Sequence, residues 1–283
     1  MKRLKLYAEL VKLEHTVFAL PFAVGSAVLL ADRFPEPEKL FWILVALVSA
    51  RTLGMALNRL IDEPYDRLNP RTRNWPLASG LVSKKEVVAL SLFSAALFFY
   101  ASYRLNELAF KLAPAVVLLL WLYPYAKRFT YFPHFFLGAV YFLIPVAVDV
   151  ALNARVSLSA VLLGLAMAFW VAGFDVLYAL QDYEFDKKVG LKSLAVLLGV
   201  KGAVKAARLF HALTLTFLIA LGLVNPKLGF IYFTGLAVVA GFLVYEHKLI
   251  KPDDLSKLNK AFFTVNGWVS VAFMTVVLLD AFI

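Results

Sequence analysis

The chain has 283 residues, of which 62% are hydrophobic and 17% charged, and its mean hydropathy is +0.78. This composition excludes an ordinary soluble domain and predicts an all-α polytopic membrane protein. The net charge of +10 comes from Lys and Arg between apolar runs rather than from one soluble face, so we expect no nucleic-acid partner. The absence of cysteine excludes disulfides, thiolate metal sites and a cysteine nucleophile.

Crossing a bilayer needs about 17 to 25 mostly apolar residues. Nine runs meet this condition, and in chain order they lie near residues 13–31, 39–62, 86–104, 107–123, 133–153, 157–181, 203–224, 228–246 and 261–282. Short connections with Pro, Asn or charge separate them, as expected of interfacial turns. The sequence therefore predicts nine transmembrane helices in a single domain spanning residues 1–283.

The basic residues orient these helices. With nine spans, 22 of the 29 Lys and Arg fall on the side of the N-terminus and of the loops after helices 2, 4, 6 and 8. The positive-inside rule then places the N-terminus in the cytoplasm. Predicted helices 2, 4 and 6 all end on that side in polar clusters, "NRLIDEPYD", "YPYAK" and "YALQDYEFD".

The first cluster places Asn58, Asp62 and Asp66 at i, i+4 and i+8, which forms one polar stripe if the helix continues that far. Pro64 interrupts this pattern, so Asp66 belongs either to the stripe or to a bent extension or loop. Neighbouring Glu63 is interpreted as an ordinary interfacial charge.

The second cluster places Asp175, Asp182 and Asp186 at i, i+7 and i+11, which returns them to one helical face beside Tyr178 and Gln181. Corresponding acids 120 residues apart suggest two related halves, about 10–125 and 130–250, followed by a last helix. Two carboxylate stripes across a cavity would suit Mg²⁺ ions that clamp a diphosphate.

Cationic side chains lie close to both clusters in the sequence. Arg71, Arg73 and Lys127 are candidates to neutralise the remaining phosphate charge. The alternative is that interfacial Lys and Arg pair with the carboxylates only to cap helices. Two such motifs on helices that end on the same side favour the ligand site.

Deeper charges support a functional cavity. Arg51 lies seven residues before Asn58, and Asp175 lies seven before Asp182, which places each about 10 Å further into the membrane. Ionisable groups at that depth are functional candidates, although these two could also form a buried salt bridge with each other. The histidines are scattered, and we expect interfacial packing for each of them: His15, His134, His211 and His247.

These motifs together resemble the UbiA-type intramembrane aromatic prenyltransferases. "NRLIDEPYD" matches that family's N-x-x-x-D-x-x-x-D motif, "DVLYALQDYEFD" its Y-x-x-Q-D-x-x-x-D motif and "YPYAK" its Y-x-x-x-K element. "LEHTVFALPFA" is similar to its first helix. The chain looks closest to the 4-hydroxybenzoate polyprenyltransferases and their menaquinone-pathway relatives.

The resemblance implies nine transmembrane helices around a central cavity that opens to the cytoplasm, in the cytoplasmic membrane of a prokaryote. It implies Mg²⁺ as cofactor, with metal ligands Asp62, Asp66, Asp182 and Asp186. The implied diphosphate contacts, taken with the charged candidates above, are Asn58, Arg71, Arg73, Tyr123, Lys127, Tyr178 and Gln181.

The implied reaction transfers a prenyl group from a polyprenyl diphosphate to an aromatic acceptor, 4-hydroxybenzoate in the first place, in quinone biosynthesis. To Asp62 and Asp182 we add two catalytic candidates chosen by their depth: Arg51 for the acceptor carboxylate, and Asp175 to orient the phenol or accept the ring proton. A menaquinone-pathway naphthoate is the alternative acceptor. An ion-coupled secondary transporter is the alternative from another class.

One position departs from the family. The family usually reads N-P-R-T-x-N-R-P-L after the first motif, whereas this chain reads "NPRTRNWPL", with Trp75 in place of arginine. Either Arg73 substitutes for that arginine from the other side of the loop, or one phosphate contact is missing.

Overall fold

The computed structural model describes residues 2–12, 16–32, 35–251 and 254–282. Within these ranges the regular secondary structure is helical, apart from one isolated bridge between Lys251 and Asp254. The all-helical fold predicted from the sequence is confirmed.

The helices of the first part of the chain are α1 (Lys2–Leu10), α2 (Thr16–Leu30), α3 (Pro37–Asp66), α4 (Lys84–Leu105) and α5 (Glu107–Leu122). A 3₁₀ turn at Tyr123–Tyr125 leads into the short α6 (Ala126–Phe129). The following helices are α7 (Pro133–Asn153), α8 (Leu158–Ala179), α9 (Tyr183–Val189), α10 (Leu194–Val224), α11 (Phe230–Leu249), α12 (Leu258–Lys260) and α13 (Asn266–Phe282). A 3₁₀ turn at Leu180–Asp182 joins α8 to α9, and a π-helical turn at Ala261–Val265 joins α12 to α13.

Among the described residues, eight helical segments are long and apolar enough to cross a membrane. They correspond to the second to ninth predicted spans. The first predicted span corresponds to α2, whose 15 residues rise only about 22 Å, and its predicted start at residues 13–15 lies outside the described residues. A ninth crossing and the cytoplasmic N-terminus stay predictions.

Local sequence signals explain where several helices begin. Ser83 caps α4 in a reciprocal capping box with Glu86. Asn106 separates α4 from α5, and its side chain accepts a hydrogen bond from the N–H of Ala109 at 2.8 Å. The brief turn between the third and fourth predicted spans therefore holds because one asparagine caps the next helix.

Helix α8 lies at the centre of the bundle, since 67% of its most apolar window is buried against 17% for the segment that contains α5. It packs tightly against α7 at two glycines. A Cβ at Gly138 would lie 2.7 Å from the Ala168 carbonyl oxygen, and one at Gly164 would lie 2.7 Å from the Phe142 ring. The two backbones therefore approach more closely than side chains would allow.

A closed polar network lies where α7 ends. Asp149 is 0% exposed, and its two oxygens accept hydrogen bonds from Asn153 Nδ2 and from the backbone N–H of Ser157, each at 2.7 Å. Asn153 also donates to the carbonyl of Leu30 at 2.8 Å. This network joins α2, α7 and the start of α8 at one end of the bundle.

Candidate functional site

A cavity of about 250 Å³ lies at the opposite end of the bundle, where α3 and α8 end and α7 begins. Its wall combines carboxylates, cationic groups and aromatic rings. The polar and aromatic residues that line it include Asn58, Arg59, Asp62, Asp66, Asn69, Arg71, Trp75, Tyr123, Lys127, His134, Asp175, Tyr178, Asp182 and Asp186. All predicted site residues except Arg51, Arg73 and Gln181 are in this set.

One wall is the last part of α3. The helix continues through Pro64 to Asp66, so Asn58, Asp62 and Asp66 do form one helical stripe. The alternative in which Asp66 lies in a loop is therefore wrong. The stripe turns its carboxylates towards the cavity.

Asp62 is 4% exposed, and its two oxygens differ. Oδ2 accepts hydrogen bonds from Asn58 Nδ2 at 2.9 Å and from Lys127 Nζ at 2.7 Å. Oδ1 is buried without a hydrogen-bond partner in the described part of the chain, and Arg128 Nη2 lies 3.9 Å from it. Because an unsatisfied buried carboxylate oxygen is costly, Oδ1 is available to a ligand.

The opposite wall forms where α8 ends. The chain tightens into a 3₁₀ turn at Asp182 and then continues as α9, which carries Asp186. The spacing predicted that Asp175, Asp182 and Asp186 lie on one regular helix. This prediction is wrong, because the helix type changes between them. All three nevertheless line the cavity.

The loop after α3 holds Asp182. Arg71 donates from Nε to Asp182 Oδ1 at 2.8 Å and from Nη2 to Oδ2, which is a bidentate contact. Asn69 Nδ2 donates to the same Oδ1 at 2.8 Å. Burial alone would lower the pKa of Arg71, but the hydrogen bond and negative charge of Asp182 outweigh it and raise that pKa. The guanidinium is therefore held in its charged form.

Trp75 lies beside two guanidinium groups. Its ring centre is 3.8 Å from Cζ of Arg59 and 5.3 Å from Cζ of Arg71, both within range of a cation–π interaction. Arg59 is 7% exposed and lines the cavity, whereas Arg73 is exposed and does not. The prediction that Arg73 reaches the cavity is therefore not supported, and the extra guanidinium beside position 75 comes from α3.

Arg51 and Gln181 also lie outside the cavity lining. Arg51 donates to the carbonyl oxygens of Lys12 at 3.0 Å and Val11 at 3.4 Å, and its Nε is buried. Arg51 Nε and Gln181 Nε2 have no hydrogen-bond partner among the described residues. The salt bridge between Arg51 and Asp175 that the sequence left open is wrong, because each residue has another partner.

Asp175 is paired with a histidine at the start of α7. Its Oδ2 lies 2.7 Å from Nδ1 of His134, which is only 2% exposed. The backbone N–H of Leu194 donates to Nε2 of His134 at 3.4 Å. Because a backbone N–H can only donate, Nε2 is unprotonated, and Nδ1 carries the proton that is donated to Asp175.

His134 thus has a cavity partner in addition to the interfacial packing predicted for it, and that packing stays a prediction for His211 and His247. His211 is buried, and its Nδ1 lies 3.0 Å from Nε2 of His247, away from the cavity lining. His15 lies outside the described residues.

The residues of the cavity wall that were not predicted include Arg59, Asn69, Trp75 and His134. Arg59 lies inside the first motif, Asn69 begins the loop sequence that follows it, and Trp75 is the departure from the family pattern. His134 had no comparable signal, because a turn and Pro133 separate it from the "YPYAK" cluster.

The four acids Asp62, Asp66, Asp182 and Asp186 approach one cavity from two walls. Within the described ranges, no three acidic or histidine side chains already form a metal site. Lys127 and Arg71 instead form ion pairs with Asp62 and Asp182. Such a set suits a hard cation whose remaining ligands are phosphate oxygens or water.

The profile of the UbiA prenyltransferase family matches residues 18–270. The 4-hydroxybenzoate octaprenyltransferase of Nitrosococcus oceani is 33% identical over 276 residues, which cover 96% of each chain. The apo structure of a UbiA homologue from Aeropyrum pernix K1 has a TM-score of 0.84 at 34% identity and covers 94% of this chain and 98% of its own. A UbiA homologue from Archaeoglobus fulgidus bound to DMAPP and Mg²⁺ has a TM-score of 0.74 at 20% identity, with coverage of 98% and 99%.

Proposed function

Because this chain belongs to the UbiA prenyltransferase family, we propose that it transfers a prenyl group from a polyprenyl diphosphate to 4-hydroxybenzoate in quinone biosynthesis. One observation carries the proposal: four carboxylates and the cations Arg59, Arg71 and Lys127 line the same cavity. The relative from Nitrosococcus oceani is named for this acceptor. Because the chain belongs to an enzyme family, the alternative of an ion-coupled transporter is dropped.

Mg²⁺ is the proposed cofactor. Asp62 Oδ1 is a buried oxygen without a hydrogen bond among the described residues, and Asp66, Asp182 and Asp186 line the same cavity. Carboxylates together with phosphate oxygens are the ligands that Mg²⁺ prefers. When bound, Mg²⁺ would supply positive charge to the departing pyrophosphate.

Arg71 and Lys127 are the proposed diphosphate cations. Each is now paired with a carboxylate, Asp182 and Asp62 respectively, and each lies in the cavity wall. A diphosphate in the cavity offers these cations phosphate oxygens, which frees the carboxylates for the metal. Arginine suits this exchange because its planar fork fits phosphate as well as carboxylate.

The remaining diphosphate contacts lie around these cations. Arg71 Nη1 donates to the Tyr178 hydroxyl at 3.4 Å, and Tyr123 and Asn58 line the same wall. We add Arg59 to this set in place of Arg73. Gln181 stays a proposed contact through its unpartnered Nε2.

Ionisation of the allylic C–O bond gives a prenyl cation that water would destroy. The rings of Tyr123, Tyr178 and Phe185 line the cavity beside the apolar Leu137 and Pro133. These side chains would exclude water, and the π faces of the rings would stabilise the cation.

The acceptor would lie on the side of the cavity formed by Asp175, about 10 Å along α8 from Asp182. A ring carbon ortho to the hydroxyl attacks the prenyl cation, and Asp175 accepts the ring proton. Arg51 stays the proposed anchor for the acceptor carboxylate, because its buried Nε has a hydrogen bond to spare.

We place the protein in the cytoplasmic membrane of a prokaryote with the cavity facing the cytoplasm. Eight apolar helical segments among the described residues and the charge asymmetry of the loops support this placement. The prenyl tail would then run between helices towards lipid.

The test uses membranes that contain the protein, geranyl diphosphate and Mg²⁺. A panel of aromatic acids includes 4-hydroxybenzoate and 1,4-dihydroxy-2-naphthoate, and mass spectrometry identifies the products. We expect geranylated 4-hydroxybenzoate only in membranes with the protein and only with Mg²⁺. Exclusive prenylation of the naphthoate would replace the acceptor, and the absence of any prenylated arene would overturn the proposed function.

A further inference from the structure

We infer that His134 is a positioning residue for the proton-transfer step of the reaction. Its hydrogen bond holds the carboxylate of Asp175 in place as the base that removes the ring proton. The inference rests on the proposed prenyl transfer, and it assigns a role to a buried side chain that the diphosphate site does not use.

Three helices fix the geometry of this pair. His134 begins α7, Asp175 lies in α8 and Leu194 begins α10. The N–H of Leu194 belongs to the first turn of α10, where helix geometry leaves it without a partner, and Nε2 of His134 accepts it. The imidazole is therefore oriented at one nitrogen by backbone and presents its Nδ1–H to Asp175.

The partner of Asp175 differs in charge from those of Asp62 and Asp182. Asp62 is paired with Lys127 and Asp182 with Arg71, so a cation balances each of them. The imidazole beside Asp175 is neutral, because its Nε2 accepts a hydrogen bond. A neutral donor orients a carboxylate and stabilises its charge without cancelling it, which preserves its capacity to take a proton.

The two oxygens of Asp175 are thereby distinguished. Oδ2 is occupied by His134, whereas Oδ1 has no hydrogen bond in the described part of the chain. The side chain of Asp175 is 27% exposed and lines the cavity, while His134 is 2% exposed. A free carboxylate could turn either oxygen to the substrate, but this one is held with Oδ1 available.

The step balances as follows. The bond between the prenyl carbon and the diphosphate oxygen breaks, and its electron pair leaves with pyrophosphate. The ring carbon ortho to the acceptor hydroxyl forms the new C–C bond and becomes tetrahedral. Asp175 Oδ1 takes the proton from that carbon, and the C–H electron pair restores the aromatic ring. His134 keeps its own proton throughout.

The test compares His134→Leu and His134→Asn with the wild-type enzyme in Mg²⁺-containing membranes. Leucine fills the space without a donor, whereas asparagine returns an N–H close to the position of Nδ1. The acceptor is 4-hydroxybenzoate, either unlabelled or deuterated at both positions ortho to the hydroxyl. The matched control is His247→Leu, which removes a histidine outside the cavity lining.

We expect His134→Leu to lower kcat by about 10- to 100-fold, as loss of an oriented proton acceptor does. Its KM for geranyl diphosphate stays unchanged, and a primary deuterium isotope effect appears that the wild-type enzyme lacks. His134→Asn restores most of kcat and suppresses the isotope effect. His247→Leu, by contrast, changes thermal stability without producing an isotope effect.

A wild-type rate for His134→Leu would overturn the inference alone. So would a lost rate with no isotope effect and a raised KM for geranyl diphosphate, because that combination indicates a structural role. If His134→Leu does not fold, His134→Gln replaces it, because the glutamine amide reaches the position of Nε2 rather than that of Nδ1. A wild-type kcat without an isotope effect in His134→Gln then overturns the inference. A wild-type enzyme that prenylates no arene would overturn the proposed function, and this inference with it.

Discussion

Asp62 and Asp149 are both buried carboxylates in one helical bundle, at opposite ends. Asp149 receives its hydrogen bonds from the amide of Asn153 and the backbone of Ser157, and both of its oxygens are satisfied. Asp62 shares one oxygen between Asn58 and Lys127 and keeps the other without a donor among the described residues.

The difference lies in whether the partners can leave. Backbone and short amide donors are fixed by the fold, so both oxygens of Asp149 stay hydrogen-bonded and neither is available to a ligand. A lysine or arginine can move its charge to another anion, so the contacts of Asp62 and Asp182 are exchangeable. Burial of an acid alone therefore does not identify a ligand site; the acid must also line the cavity and have partners that can leave.

The strongest test of this difference is to neutralise Asp62 and Asp182, the two acids whose cationic partners can leave. We expect Asp62→Asn and Asp182→Asn each to lower kcat/KM for prenyl transfer by about 10²- to 10³-fold, since both lose charge that holds the metal-bound diphosphate. Product formation measured by mass spectrometry checks this expectation.

Glu63 provides the matched control. It lies next to Asp62 and is also 4% exposed, but it forms ion pairs with Arg67 and Lys84 and does not line the cavity. Its role as an interfacial charge stays a prediction. Glu63→Gln should retain activity, and a loss equal to that of Asp62→Asn would contradict the assignment.

A second prediction concerns the cation that holds Asp182. Arg71→Lys keeps the charge but loses the two-pronged contact, so we expect the KM for prenyl diphosphate to rise about 10-fold. Arg73→Lys, on the same loop but exposed, is expected to leave KM unchanged. Equal effects of the two substitutions would show that the fork at Arg71 has no special role.

A third prediction concerns the departure at position 75. Trp75→Arg should lower turnover by about 5- to 10-fold, because it removes the ring beside two guanidinium groups and adds a third guanidinium. Adding Arg59→Gln should recover part of that loss, since one guanidinium then remains beside position 75. Higher turnover of the single variant than of wild type would show that Trp75 only weakens the site.

The smallest effect on activity is expected at the other end of the bundle. Asp149→Ala leaves two partly buried donors without an acceptor, which should cost about 3 kcal/mol of stability. The thermal unfolding midpoint in detergent should fall, while KM for prenyl diphosphate in the remaining folded protein stays unchanged. A selective rise in KM would remove the distinction between the two ends.

Periodicity predicted the parts of this structure that depend on one helix at a time. The spacing of Asn58, Asp62 and Asp66 gave their shared stripe, and apolar run length gave the eight membrane-spanning segments. The continuation of α3 through Pro64 and the 3₁₀ turn at Asp182 were beyond this reasoning, because packing against neighbouring helices decides them.

Contacts between distant elements were not predictable from spacing. His134 meets Asp175 across 41 residues, and Trp75 stacks on Arg59 only because the loop folds back over α3. Arg51 had an obvious candidate partner in Asp175, yet backbone carbonyls of Lys12 and Val11 take its N–H groups. Charge indicates which residues could form a pair, but the packing of the helices decides which pairs form.

The glycine contacts between α7 and α8 also distribute stiffness unevenly through the protein. With the Gly138 and Gly164 backbones in direct contact with their neighbours, these helices have little freedom to slide or separate. His134 and Asp175 are carried on this closely packed pair, so the rigid side of the bundle sets their separation. The segment containing α5, with only 17% of its apolar window buried, is held by far fewer contacts inside the bundle.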